Sequence, residues 1–418
     1  MSAPAAIEEH PLRRNRDFNL LWVGQAVSEL GAHVAQIAFP LLVLATTGSP
    51  VRAGIVSAAA TLPDLVLAVP AGALVDRWNQ KRVMIVTDSV CAAAFGSLGL
   101  AVALDALTFG HIVVVAFIEG VGFVLFYVAE GSALQQVVAD HHLHAALARN
   151  STRAHTAAIA GQPLGGALFA LGRAVPFVFD AVSYLMSVVA VSLIRTSFRR
   201  DVTPERPRLR GDMRAGLDWF WQQPFLRTTS LITMTRSFTL NALYLVVIVI
   251  AHERGASAAL IGLLFVFVGV AGILGSLAAP AVARRASIRT VIIATAVLGA
   301  VLVPLLSILP GRATPGIVFG ALYLLNPVWS TVVGAHRLRI TPPELRARVL
   351  SIATLIGGGL VPLAFVAAGL LLEAAGTTPT VLVFSGIMAV GAAIAVRSPA
   401  VRVSSDRPPP FASHSENV

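Results

Sequence analysis

Along this chain, long apolar runs alternate with short polar stretches, and the runs recur near the length a helix needs to cross a hydrocarbon core, about 20 residues. Twelve such runs are present. In the first half they lie near Phe18–Thr46, Ala53–Val75, Val83–Leu104, Ile112–Val138, Thr152–Leu171 and Val175–Ile194. The second half contributes Phe225–Ala251, Ala259–Val282, Val291–Leu309, Pro315–Ala335, Val349–Ala374 and Pro379–Val396. The pattern predicts an all-α membrane protein with twelve transmembrane helices in two pseudo-symmetric six-helix bundles. The first apolar run lacks a cleavage signal close behind it and reads as a membrane helix rather than a signal peptide.

Arginines then test this division. Alternate loops hold Arg77, Lys81 and Arg82; Arg149 and Arg153; Arg195, Arg199, Arg200, Arg206, Arg208, Arg210 and Arg214; Arg284, Arg285 and Arg289; and Arg337, Arg339, Arg346 and Arg348. The intervening loops carry only Arg52, Arg173, Arg254 and Arg312. Cytoplasmic loops accumulate positive charge, so both termini and the central loop are expected in the cytoplasm. The predicted domains are a cytoplasmic N-terminal segment 1–17, a first bundle 18–195, a linker 196–223, a second bundle 224–397 and a disordered tail 398–418. Within the linker, Gly211–Trp221 reads as a short amphipathic helix on the cytoplasmic face.

Composition agrees with a chain solvated by lipid. Hydrophobic residues make up 56% and charged residues 12%, against about 25% charged in soluble domains. The mean hydropathy is +0.78 and the pI near 11.1. That basicity does not imply nucleic acid, because the arginines cluster between apolar runs rather than along one face. Cys91 stands alone, so no intrachain disulfide is possible.

Charges within the apolar runs are functional candidates, since one at mid-membrane costs roughly 2.5–3.5 kcal/mol even on the permissive insertion scale. They are Glu29, Asp64, Glu119, Glu130, Asp180 and Arg236. Glu29, Asp64 and Glu119 fall toward the middle of their runs and are the expected proton-coupling carboxylates. Arg236 reads as a counter-ion or anion-binding group. With Gln25, Gln36, Phe123, Asn241 and Asn326 it makes up the expected substrate-cavity set. For any one of these residues a structural ion pair or polar cap is the competing reading. Phe39, Phe126, Tyr244 and Trp329 are further aromatics that either line a cavity or pack the core. His141, His142 and His144 are expected in a solvated loop, because nothing at ligand spacing completes a metal site. Gly357–Gly359 is not followed by the Lys-Ser/Thr of a phosphate loop and reads as a packing or hinge element. No cofactor or metal is expected, and no constellation of nucleophile and base suggests an enzyme.

One stretch is more specific: Gly72-Ala-Leu-Val-Asp76-Arg77-Trp-Asn79-Gln-Lys81-Arg82. Gly72 is expected to let a neighbouring helix approach closely, Asp76 to meet a helix N-terminus or arginines, and Asn79 to take the positive φ of a tight turn. A second stretch, Gly161-Gln-Pro163-Leu-Gly165-Gly166, combines a missing backbone donor with a smooth packing face. The first stretch resembles the cytoplasmic loop signature of the major facilitator superfamily, and the second resembles the fifth-span signature of its exporters, with Gln162 inserted. Phe18-Asn-Leu-Leu-Trp22, Ser28-x-x-Gly31, and Phe179-Asp180-Ala-Val-Ser183-Tyr184 look like the enterobactin-exporter-like and macrolide-efflux-like branch. The resemblance implies the major facilitator fold and a conformational latch formed by Gly72, Asp76, Arg77 and Arg82 with Arg346 and Arg348. It implies helix bending at Gly161, Pro163, Gly165 and Gly166. It further implies a monomeric inner-membrane exporter of small amphipathic molecules (drugs, macrolides, siderophores), driven by proton antiport through alternating access. A uniporter or importer, or a lysolipid flippase on the same fold, is the alternative.

Overall fold

The computed structural model describes residues 12–67, 70–75, 77–196 and 209–403. Within them the chain is almost wholly helical. In order, the helices are α1 (Arg16–Thr47), α2 (Pro50–Leu67), α3 (Pro70–Val75), α4 (Gln80–Ala103), α5 (Phe109–Val137), α6 (Asp140–Leu171), α7 (Val175–Ser192) and α8 (Leu209–Gln222). They continue with α9 (Pro224–Glu253), α10 (Ala258–Arg285), α11 (Ile288–Leu302), α12 (Leu305–Ile308), α13 (Thr314–Ile340), α14 (Arg346–Gly358), α15 (Val361–Ala375), α16 (Thr377–Arg397) and α17 (Pro399–Val403). Eleven helical segments among the described residues are long and apolar enough to cross a membrane. The segment missing from that set is α6. It has the length, but its first half carries His141, His142, His144, Arg149 and Arg153.

Local chemistry explains where helices begin and end. Asn15 caps α1 by accepting the Phe18 N–H at 3.0 Å, Thr108 caps α5 and Ser287 caps α11; each satisfies an amide that the helix leaves orphaned. Gly48, with φ 65°, closes α1 in the left-handed conformation that glycine adopts without penalty.

The chain divides into two compact units, Met1–Thr203 with Ser257–Leu263, and Pro204–Ala256 with Leu264–Val418. In the first unit α1 is the central helix and packs on α2, α5, α6 and α7. Phe39 belongs to its core, with ring centroids 5.7 Å from Phe95 and 5.5 Å from Phe177, so it does not line a cavity. In the second unit α9 is central and packs on α13, α14, α15 and α16. Phe220 of α8 is fully buried with Phe225, Ile292 and Trp329 of that unit.

Several expectations are corrected. His141, His142 and His144 stand on the first turns of α6, not in a loop. Arg149 and Arg153 also lie within α6, because a helix begins 12 residues before the apolar run once Asp140 opens its first turn. Asn79 has φ −72° and caps α4 by accepting the Arg82 N–H at 3.1 Å, so it is a helix cap rather than a positive-φ turn residue. A Cβ at Gly72 meets nothing among the described residues within 4 Å, so no close helix approach there requires glycine. The run Val349–Ala374 is two helices, α14 and α15, separated at Gly359–Leu360.

Candidate transport site

Glu29 sits near the middle of α1, on the side facing α6. Arg153, three turns into α6, donates to it twice: Nε to Oε2 at 3.0 Å and Nη2 to Oε1 at 2.8 Å. The remaining terminal nitrogen, Nη1, lies 2.9 Å from Glu130 Oε1 of α5, an ion pair whose angle makes no hydrogen bond. One guanidinium is thus held between two carboxylates from two other helices. The Arg153 and Glu130 side chains are 4% and 8% exposed, whereas that of Glu29 is 24% exposed. The arginine is locked inside and Glu29 is the member within reach of solvent. Asn150 of α6 adds a long contact to Glu130, 3.4 Å.

The α1–α6 seam continues this polar track. Glu29, His33 and Gln36 follow at the i, i+4, i+7 spacing that places side chains on one helix face. His33 Nδ1 and Gln36 Oε1 are 3.1 Å apart, and Gln162 of α6 donates to the same Gln36 oxygen at 3.1 Å. The seam is tight because α6 offers glycines to α1. A Cβ on Gly165 would stand 2.7 Å from the Val34 carbonyl oxygen, and one on Gly161 would press on His33. Gly166 meets Gly262, whose stretch Ser257–Leu263 belongs to the same unit. The helix runs on through Pro163 without interruption.

A second polar cluster lies deeper. Gln25 of α1 donates to Ser187 Oγ of α7 at 3.1 Å, and Asp88 of α4 is 2% exposed. Asp180 is wholly buried and accepts from Ser183 Oγ at 2.8 Å, with both side chains occupying the space above Gly31. Sequence reasoning passed over Asp88, although an acid in an otherwise apolar run is the signal that singled out the others. It also assigned Arg153 to a loop, and only the helical register of α6 brings that residue to Glu29.

The other candidates are dispersed. Asp64 is exposed on α2 and Glu119 half-buried on α5, and neither joins the arginine. Phe123 is exposed on α5 and stacks on Tyr127 at 6.1 Å. In the second unit, Arg236 of α9 is 4% exposed over the Trp329 ring, Asn241 bonds back to the Ser237 carbonyl, and Asn326 is exposed on α13. Of the expected latch, Asp76 lies outside the described residues. Arg77 and Arg82 are exposed in the first unit. In the second, Arg346 donates to the Thr341 carbonyl at 3.3 Å, and the Cβ of Arg348 packs under Gly216 of α8. Among the described residues no group of His, Cys, Asp and Glu is placed to hold a metal ion.

Similarity to known proteins fits this architecture. The multidrug efflux pump Tap of Mycolicibacterium fortuitum is 28% identical over 394 residues, covering 89% of this chain and 93% of Tap. The Mycobacterium tuberculosis Tap pump is 26% identical over 406 residues, covering 92% and 93%. The macrolide efflux protein A of Streptococcus pyogenes is 32% identical over 105 residues, about a quarter of each chain (25% and 26%). Among solved structures, a bacterial homologue of the lysosomal transporter Spinster superposes with a TM-score of 0.73 at 14% identity, covering 95% of this chain and 99% of that one. A bacterial homologue of the iron transporter ferroportin gives 0.72 at 15% identity, covering 95% and 100%. Such low identity shows the shared fold. Residues 8–415 match the model of the transmembrane secretion effectors, and the chain belongs to that family, a multi-pass membrane transporter family of the major facilitator superfamily.

Proposed function

We propose that this chain exports small amphipathic molecules across the bacterial inner membrane by proton antiport. Both termini and the linker are cytoplasmic, the working unit is a monomer, and the two bundles alternate access to a central site. The observation that carries the reading is the Glu29–Arg153–Glu130 triad. A proton arriving at Glu29, its accessible member, removes one of the two negative charges balancing Arg153. The guanidinium is then held by Glu130 alone, and the α1–α6 seam loses its bidentate clamp. That is a local electrostatic change able to bias a two-state packing of helices. Among the expected coupling carboxylates this favours Glu29 over Asp64 and Glu119, which have no such partner to release. Export is supported by the efflux names of the relatives.

The test is a proton-gradient assay in everted vesicles, with macrolides, cationic dyes and catecholate siderophores added in turn. Collapse of the gradient by one compound, through the unaltered chain and not through Glu29→Gln, supports antiport. Equilibration of labelled compound with no gradient dissipation contradicts it and favours the uniporter or lysolipid-flippase alternative.

A further inference from the structure

The spans of the second unit contain one ionisable group of a kind absent from its neighbours. Acids among the described residues of this unit are Asp212, Asp218, Glu253, Glu344 and Glu373, and each stands on α8, at a helix end or in the turn before α14. Arg236 is by contrast midway along α9, with 4% of its surface exposed. Its contacts are few. Nη1 donates to the Thr295 carbonyl of α11 at 3.4 Å, at the long end for a hydrogen bond. Nη2 is buried with no partner. The guanidinium carbon lies 5.1 Å from the centre of the Trp329 ring of α13. A ring against the guanidinium face stabilises the cation but uses none of its N–H groups, which project from the edge.

One turn further along α9, Thr239 is wholly buried and its hydroxyl also lacks a partner. Residues i and i+3 share a helix face, so two unpaired donors, one of them charged, point from the same side of α9. Buried donors are nearly always satisfied, and a charge within a membrane bundle is retained against its desolvation cost where it binds a counter-charge or ligand. Donors without acceptors describe a place where an acceptor is missing. Ser237, the next residue along α9, is only partly buried.

We propose that Arg236 and Thr239 form an oxyanion site, with Trp329 backing the guanidinium, which binds the carboxylate of an amphipathic cargo. This rests on the transport reading above and narrows its substrate class to molecules carrying an acidic group beside an apolar body.

The experiment uses the full chain in lipid nanodiscs and two probes that share one fluorophore, 1-pyrenebutyrate and a pyrenebutyl-trimethylammonium cation, with energy transfer from tryptophan as the readout. The unaltered chain binds pyrenebutyrate saturably. Arg236→Gln weakens that binding at least about tenfold, Thr239→Val weakens it to a lesser degree, and neither changes the cation's affinity more than about threefold. Arg236→Lys, which keeps the charge and the fold, retains anion preference with intermediate affinity. Failure of the unaltered chain to bind pyrenebutyrate overturns the proposal. So does equal weakening of both probes, or an Arg236→Lys protein that treats the two alike, since each makes Arg236 a packing residue. Binding is read without a proton gradient, so failure of proton coupling in vesicles leaves this result standing, and the reverse also holds.

Discussion

Arg153 lies among α1, α5 and α6, and its two acidic partners make the surrounding packing possible. Removing one member of a buried ion pair leaves an uncompensated charge, at about 3–5 kcal/mol. Arg153→Met, which would leave Glu29 and Glu130 facing one another, is accordingly expected to lower stability by about that amount in thermal unfolding of the nanodisc protein. Adding Glu29→Gln and Glu130→Gln to the same protein should recover much of the loss, because no buried charge then remains unpaired. A single variant as stable as the unaltered chain would show that the triad is solvated and weak. The sequence made Glu29 and Glu130 visible, since an acid inside an apolar run needs a reason. Arg153 was not visible, because an arginine at the very start of an apolar run looks like an ordinary loop charge until the helix is known to begin at Asp140.

At the scale of the elements, the apolar runs located the spans because length and hydropathy are local properties, and the six runs of each half reappear as helical segments. What could not be read locally was how a polar stretch continues a helix. α6 extends through its histidines and arginines, whereas α14 and α15 part at Gly359–Leu360, beside the Gly357–Gly359 run that the sequence marks as a packing or hinge element. Glycine roles divide on the same ground. Gly165→Leu should destabilise by about 1–3 kcal/mol, because its side chain would meet the Val34 backbone oxygen of α1. Gly72→Ala should leave the melting temperature unchanged, since nothing described lies within reach of its Cβ. Equal effects from the two substitutions would contradict this account of the seam. Asn79→Ala removes the α4 cap and should lower stability by about 1 kcal/mol, measured in the same unfolding series.

Across the whole molecule, charge inside the spans is distributed unevenly. The first unit carries Glu29, Asp64, Asp88, Glu119, Glu130 and Asp180 against the single Arg153, whereas the span interiors of the second carry Arg236. One unit therefore holds the carboxylates to which the proposed proton coupling is assigned, and the other the arginine of the proposed oxyanion site. That division suits a carrier in which proton and cargo are handled by different side chains and linked through conformational populations. In the proposed cycle Glu29 couples proton entry to cargo movement. Its most direct test is the purified chain in proteoliposomes, using a compound that dissipates the gradient in vesicles, with gradient-driven uptake and gradient-free exchange measured side by side. Glu29→Gln is expected to abolish accumulation driven by an imposed pH gradient while exchange of labelled for unlabelled compound continues. Undiminished gradient-driven accumulation by Glu29→Gln would contradict it.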